Sequence, residues 1–175
     1  MTSTRPFMRA LCGLAQAQAE LGQVDKAIGN YQELLRLNPG DNQGVRYILL
    51  PLLLTQGRNE EAETLLADFE DDVMAAWQYS RALMTFRKKG DTPAARRQFK
   101  EAVAANRHVP KYLLGDAEID GEPDQYAIGS NEEGIICANE CGVAWQTVPG
   151  ALDWLRAQVA KPSPRRGKPR GPKRK

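Results

Sequence analysis

One spacing occurs three times along the chain: Gly22–Ala27–Tyr31, Gly57–Ala62–Leu66 and Gly90–Ala95–Phe99. Alanine follows glycine by five residues, a large side chain follows alanine by four, and the glycines stand 35 and 33 residues apart. A period of that length holds a helix, a turn, a second helix and a second turn. Glycine after a helix supplies the left-handed residue that a tight turn requires. Alanine on the next helix lets two backbones approach, and the large residue one turn later falls on the same face. Eight residues before each glycine stand Leu14, Leu49 and Ala82, on the first helix of each pair. No single pair can bury both its faces, so the units must stack. The spacing therefore predicts an all-α fold, a stack of about three antiparallel helix hairpins.

Local signals set the boundaries. They predict helices over 6–21, 24–37, 42–56, 59–70, 73–89 and 92–105. Thr92 followed by Pro93 reads as a cap and a first helical residue. Asn38-Pro39-Gly40-Asp41 breaks the chain between the first two pairs, with Asp41 placed to cap the third helix. Glu70-Asp71-Asp72 resembles an acidic site, but Asp71 or Asp72 serves better as the cap of a helix beginning near Val73. Pro51 falls inside the third helix, where it removes a donor and predicts a kink beside Tyr47. The rhythm then fails over 106–129, which carries Pro110, Gly115, Gly121, Pro123 and Gly129 and holds one short turn at 110–114. A connection of that length inside a domain is often functional. Ser130 and Glu133 have capping-box spacing, opening a helix over 131–145, and another occupies 149–160. That last pair is expected to cap the stack. Residues 1–160 form one domain on this reading and 161–175 a disordered basic tail.

Charge sharpens the division. The tail holds eight lysines and arginines and no acid, against 16 basic and 22 acidic residues in 1–160. An acidic body with a cationic arm differs from a neutral protein. Pro and Gly interrupt the arm throughout, so it has nothing with which to build a core. Two readings of it stand. Arg165, Arg166, Lys168, Arg170, Lys173, Arg174 and Lys175 can neutralise phosphates by counterion release, or the arm is a solubilising extension. No aromatic residue is interleaved there, which removes base stacking.

Three cysteines make no disulfide framework and fit a reducing compartment. No apolar run reaches the roughly 20 residues of a membrane helix. Arg5 and Arg9 ahead of the apolar stretch 10–15 mimic a targeting signal, but six residues make a weak signal core and the helix needs them. The expectation is a cytoplasmic protein with no membrane contact and an oligomeric state left open.

Chemistry is thin. His108 is the one histidine, and the chain has no nucleophile elbow, phosphate-cradling loop or paired-histidine zinc motif. A hydrolase would require Cys12, Cys137 or Cys141 to meet His108. Cys137 and Cys141, one helical turn apart, are too few for zinc and read as core residues. No catalytic residue, metal or cofactor is expected.

Ala27, Tyr31 and Pro39 in the first unit, Gly57, Ala62 and Leu66 in the second, and Ala95, Phe99 and Ala102 in the third resemble the tetratricopeptide repeat. The aromatic residues typical of that repeat's first helix are mostly missing. The strings 106–114 and 41–47 also look like the helical repeat region of the suppressor-of-tumorigenicity-seven family, and like modules at the ends of larger bacterial proteins, over residues 7–158. Such a resemblance implies a right-handed stack, a tetratricopeptide-like solenoid that serves as an interaction scaffold with no defined reaction. It places the first helix of each pair on a concave surface, and with it Arg9 and Gln16 of the first unit, Tyr47 of the second, and Trp77, Ser80, Met84 and Arg87 of the third. Aromatic and arginine side chains suit recognition. The lysine and asparagine pattern with which some relatives clamp a terminal carboxylate is not reproduced. The expected function is non-catalytic: a peptide or protein partner docks on the concave face. The alternative is a nucleic-acid-associated adaptor working through the tail.

Overall fold

The computed structural model describes residues 4–121 and 123–160. Among them are nine helices and no strand: α1 (Thr4–Glu20), α2 (Val24–Leu37), α3 (Val45–Thr55), α4 (Asn59–Asp68), α5 (Ala75–Lys89), α6 (Pro93–Ala105), α7 (Val109–Leu113), α8 (Asn131–Thr147) and α9 (Ala151–Ala160). The basic tail lies outside the described residues. The first six helices pair in order, α1 with α2, α3 with α4 and α5 with α6, and each pair packs on the next, α2 against α3, then α3 and α4 against α5.

The repeat spacing has the structural meaning it predicted. Gly22, Gly57 and Gly90 turn the chain at φ 73°, 73° and 66°, where a side chain would be strained. Ala27, Ala62 and Ala95 are each 0% exposed, and Tyr31, Leu66 and Phe99 join them in the core.

The caps act in part from further away than the spacing suggested. Asp41 sits in the left-handed region at φ 46°, and its carboxylate accepts the N–H groups of Val45 (2.7 Å) and Arg46 (3.0 Å). The helix therefore opens at Val45 and not at 42. Asp72 Oδ1 accepts the Met74 N–H at 2.9 Å, ahead of a helix that starts at Ala75. Thr92 Oγ1 accepts from Ala95 N with Pro93 at the first position, in agreement with the sequence. The box at α8 closes one residue early: Ser130 Oγ accepts the Glu133 N–H, but the Glu133 carboxylate accepts the N–H of Gly129 (2.6 Å). α3 continues through Pro51 without a break.

The closing helices depart from the expected cap. α8 packs on α7, and also across α3 and α5, the first helices of the second and third pairs. α9 packs on α5, α7 and α8. Residues 114–130 carry the chain back to make this possible. Cys137, Ala138, Cys141, Ala144 and Trp145 supply the buried face of α8. Trp154 anchors α9. Its ring stacks on Phe86 (centroids 4.6 Å) and Trp145 (6.3 Å), and its indole N–H donates to Asp91 Oδ1 at 2.8 Å.

Candidate interaction surface

Packing between the second and third units, with α8 laid over α3 and α5, leaves few of the expected surface residues reachable. Trp77 is 0% exposed, Ser80 2% and Met84 3%. This corrects their placement on an open groove. Trp77 meets the edges of Tyr47 and Phe69, each at 6.0 Å, in the contact between units. Tyr47 is half-buried and its hydroxyl donates to Asp72 Oδ2 at 2.7 Å. Arg87 is half-buried as well, with Nη1 donating to the carbonyl of Leu54 at 2.6 Å. It adds a side-chain donor to a carbonyl at the end of α3 that already accepts the Gly57 N–H at 3.2 Å. Arg9 and Gln16 of α1 are exposed. Of the seven expected contacts, these two remain at the surface.

Two polar networks that the sequence reading missed hold the neighbouring elements. Arg46 donates from Nε to Asp72 Oδ2 (2.7 Å), from Nη1 to Asp41 Oδ2 (2.9 Å) and from Nη2 to the Tyr47 hydroxyl (2.8 Å). Its guanidinium lies 4.3 Å from the Tyr47 ring centre and 5.0 Å from that of Phe69. Burial, then the Asp72 carboxylate beside it, pushes the Tyr47 phenol well above its ordinary range. Both carboxylates are nearly covered, at 1% and 6% side-chain exposure, so the guanidinium is what makes their burial tolerable. Asp41 was legible as a cap; its second role needs the fold.

The other network centres on Glu133, 3% exposed. Its carboxylate accepts from Asn106 Nδ2 at 2.9 Å as well as from Gly129 N. Asn106 in turn donates to the Ser130 carbonyl, accepts the His108 N–H, and offers its own carbonyl to the Tyr79 hydroxyl at 2.8 Å. The junction of α6, α7 and α8 is thereby tied to α5. Gly134 is required here, because a Cβ on it would stand 2.9 Å from the Cβ of His108.

Cys137 and Cys141 face the same way, Sγ to Sγ 3.9 Å, both buried. Burial pushes the Cys137 thiol up, and the Cys141 hydrogen bond adds to that. A thiol held in its neutral form is a poor nucleophile. Among the described residues no group of three or more His, Cys, Asp or Glu side chains is placed to hold a metal ion, and no helix is long and apolar enough to cross a membrane.

An outer cleft of about 570 Å³ lies between α2, α3 and α4. Leu35, Leu53, Leu65 and Phe69 line it, with Arg36, Glu61, Thr64 and Asp68 alongside. Sequence reasoning did not find it, because its floor is assembled from three helices whose apolar positions read as plain core.

Residues 8–41, which take in α1 from Met8 onward and all of α2, match the tetratricopeptide repeat. The chain is thus tetratricopeptide-like in its first unit, and the two further hairpins repeat that arrangement. A repeat of this kind points to a protein–protein interaction module. No curated protein and no solved structure matches the chain, so the narrower resemblance to the suppressor-of-tumorigenicity-seven family finds no support from any homologue.

Proposed function

We propose that the chain is a non-catalytic interaction module, a right-handed stack of hairpins in which a peptide or protein partner docks on the concave surface of the first unit. The observation that carries this reading is the position of α8. It covers α3 and α5, leaving α1 as the first helix whose expected contact residues, Arg9 and Gln16, still face solvent. The charge balance favours a second reading. With acidic residues in excess over 1–160, a nucleic-acid partner would engage residues 161–175 and little else.

Affinity capture with the full chain, with Gln16→Arg, with Thr64→Arg in the outer cleft, and with a chain ending at residue 160 separates these surfaces. Loss of the partner in Gln16→Arg, with retention in the other two at high salt, is the expected result. Retention in Gln16→Arg with loss in Thr64→Arg moves the site to the outer cleft. Binding that disappears on tail removal and falls steeply with salt overturns the concave reading in favour of the tail.

A further inference from the structure

The inner face of α1 is not its most unusual surface. Phe7, Leu14 and Leu21 recur at intervals of seven on one side of the helix, with Ala10 and Ala17 between them, and all five are exposed: Phe7 58%, Leu14 49% and Leu21 73%. The helix buries a different side, through Met8 and Ala15. Leu37, at the end of α2, is 43% exposed and lines the same pocket as Phe7, so it widens the patch at that end. The repeat register shows what this side does elsewhere. Leu49 and Ala82, equivalent to Leu14, are 1% and 0% exposed, and Val45, equivalent to Ala10, is 2%. Leu49 lines the cleft with Leu35 and Arg36 of α2, the preceding unit. In α1 the corresponding side is an apolar strip of about four turns, from Phe7 to Leu21 just past the helix end, left in water, which is rare unless something covers it.

We propose that a second copy of this chain covers it, α1 pairing with α1 in antiparallel fashion about a two-fold axis at Leu14. The strip alternates large and small residues, and reversal preserves that order. Leu14 meets its own copy and Phe7 meets Leu21, while Ala10 and Ala17 come level to within one residue's rise of about 1.5 Å, where two alanines let the backbones close. Charge selects the direction. Arg9 and Glu20 lie along the same flank of the strip, Arg9 toward its start and Glu20 toward its end, so antiparallel pairing sets each Glu20 beside the other chain's Arg9. A parallel two-fold pair would put that flank on opposite sides of the seam in the two chains, and neither Arg9 nor Glu20 would gain an opposite charge. Gln16 lies off the strip, but Arg9 belongs to both surfaces, so partner docking and self-association meet at Arg9.

Light scattering on the full chain over a concentration series of about a hundredfold reads the result. The expected outcome is a mass that doubles as concentration rises, and a Leu14→Glu chain that stays monomeric with its helical circular dichroism unchanged. Register is read by cross-linking. Leu14→Cys should oxidise to a disulfide-linked dimer, and Phe7→Cys mixed with Leu21→Cys should cross-link where neither does alone. Arg9→Glu should weaken the dimer, and Arg9→Glu with Glu20→Arg should restore it. A chain monomeric throughout, with no Leu14→Cys cross-link, overturns the proposal. Phe7→Cys linking to itself while failing to link to Leu21→Cys overturns the antiparallel pairing.

Discussion

At the scale of single residues, three glycines inside helices should respond in opposite directions to the same substitution. Gly13 and Gly29 have nothing within 4 Å of where a Cβ would stand. Replacing either with alanine should raise stability by about 0.5–1 kcal/mol, since the chain gains helix propensity and meets no neighbour. Gly134→Ala gains the same propensity but drives its methyl into His108, and should lose about 1–3 kcal/mol net in urea unfolding. Arg46 is a harsher case. Arg46→Met leaves Asp41 and Asp72 buried without their shared cation; loss of about 3 kcal/mol is expected, tempered by the partial exposure of the guanidinium. The thiols offer a chemical check. In the native protein a disulfide reagent should modify Cys12, which is half-buried, well before Cys137 and Cys141, which should react only as the protein unfolds. Rapid modification of all three would show the α8 packing to be wrong.

At the scale of elements, the hairpins could be read because their signals are local. A glycine at a helix end, an alanine five residues on and a capping threonine each act within one or two turns, and each boundary they set lies within a few residues of the observed helix. Glu133 shows where that reading stops. Its spacing from Ser130 announced a capping box, but its carboxylate instead holds Gly129 and Asn106, and Asn106 lies 27 residues earlier in sequence. Trp77 and Arg87 fail for a related reason. Aromatic and arginine side chains suit a binding surface or a contact between units equally well, and only the arrival of α8 and the neighbouring unit decides which. The position of α8 itself left no local trace, because residues 114–130 specify no direction. Trp154 tests its consequence. Trp154→Ala should remove about 3–5 kcal/mol, because its ring joins α9 to α5 and α8 at once.

At the scale of the whole molecule, contacts are uneven in a way a plain repeat stack is not. Stacked repeats touch their neighbours alone and can open one at a time. Here α8 bridges α3 and α5, binding the second and third units into one body, while the first unit is held chiefly through α2 against α3. Native-state hydrogen exchange should therefore find two levels of protection: amides of α1 exchanging through a local opening, and those of α3, α5 and α8 exchanging together at the global limit. Uniform protection from α1 to α8 would contradict that division.

The return of α8 also orders events during synthesis. The chain leaves the ribosome from its N-terminus, so all three hairpins emerge before the helix that seals the inner sides of α3 and α5. Until Trp145 is translated, that apolar floor has no native cover, and closing it spans most of the polypeptide, the kind of distant pairing that slows folding. A nascent chain stalled before α8 is thus the form in which this protein is most exposed to chaperones and to aggregation.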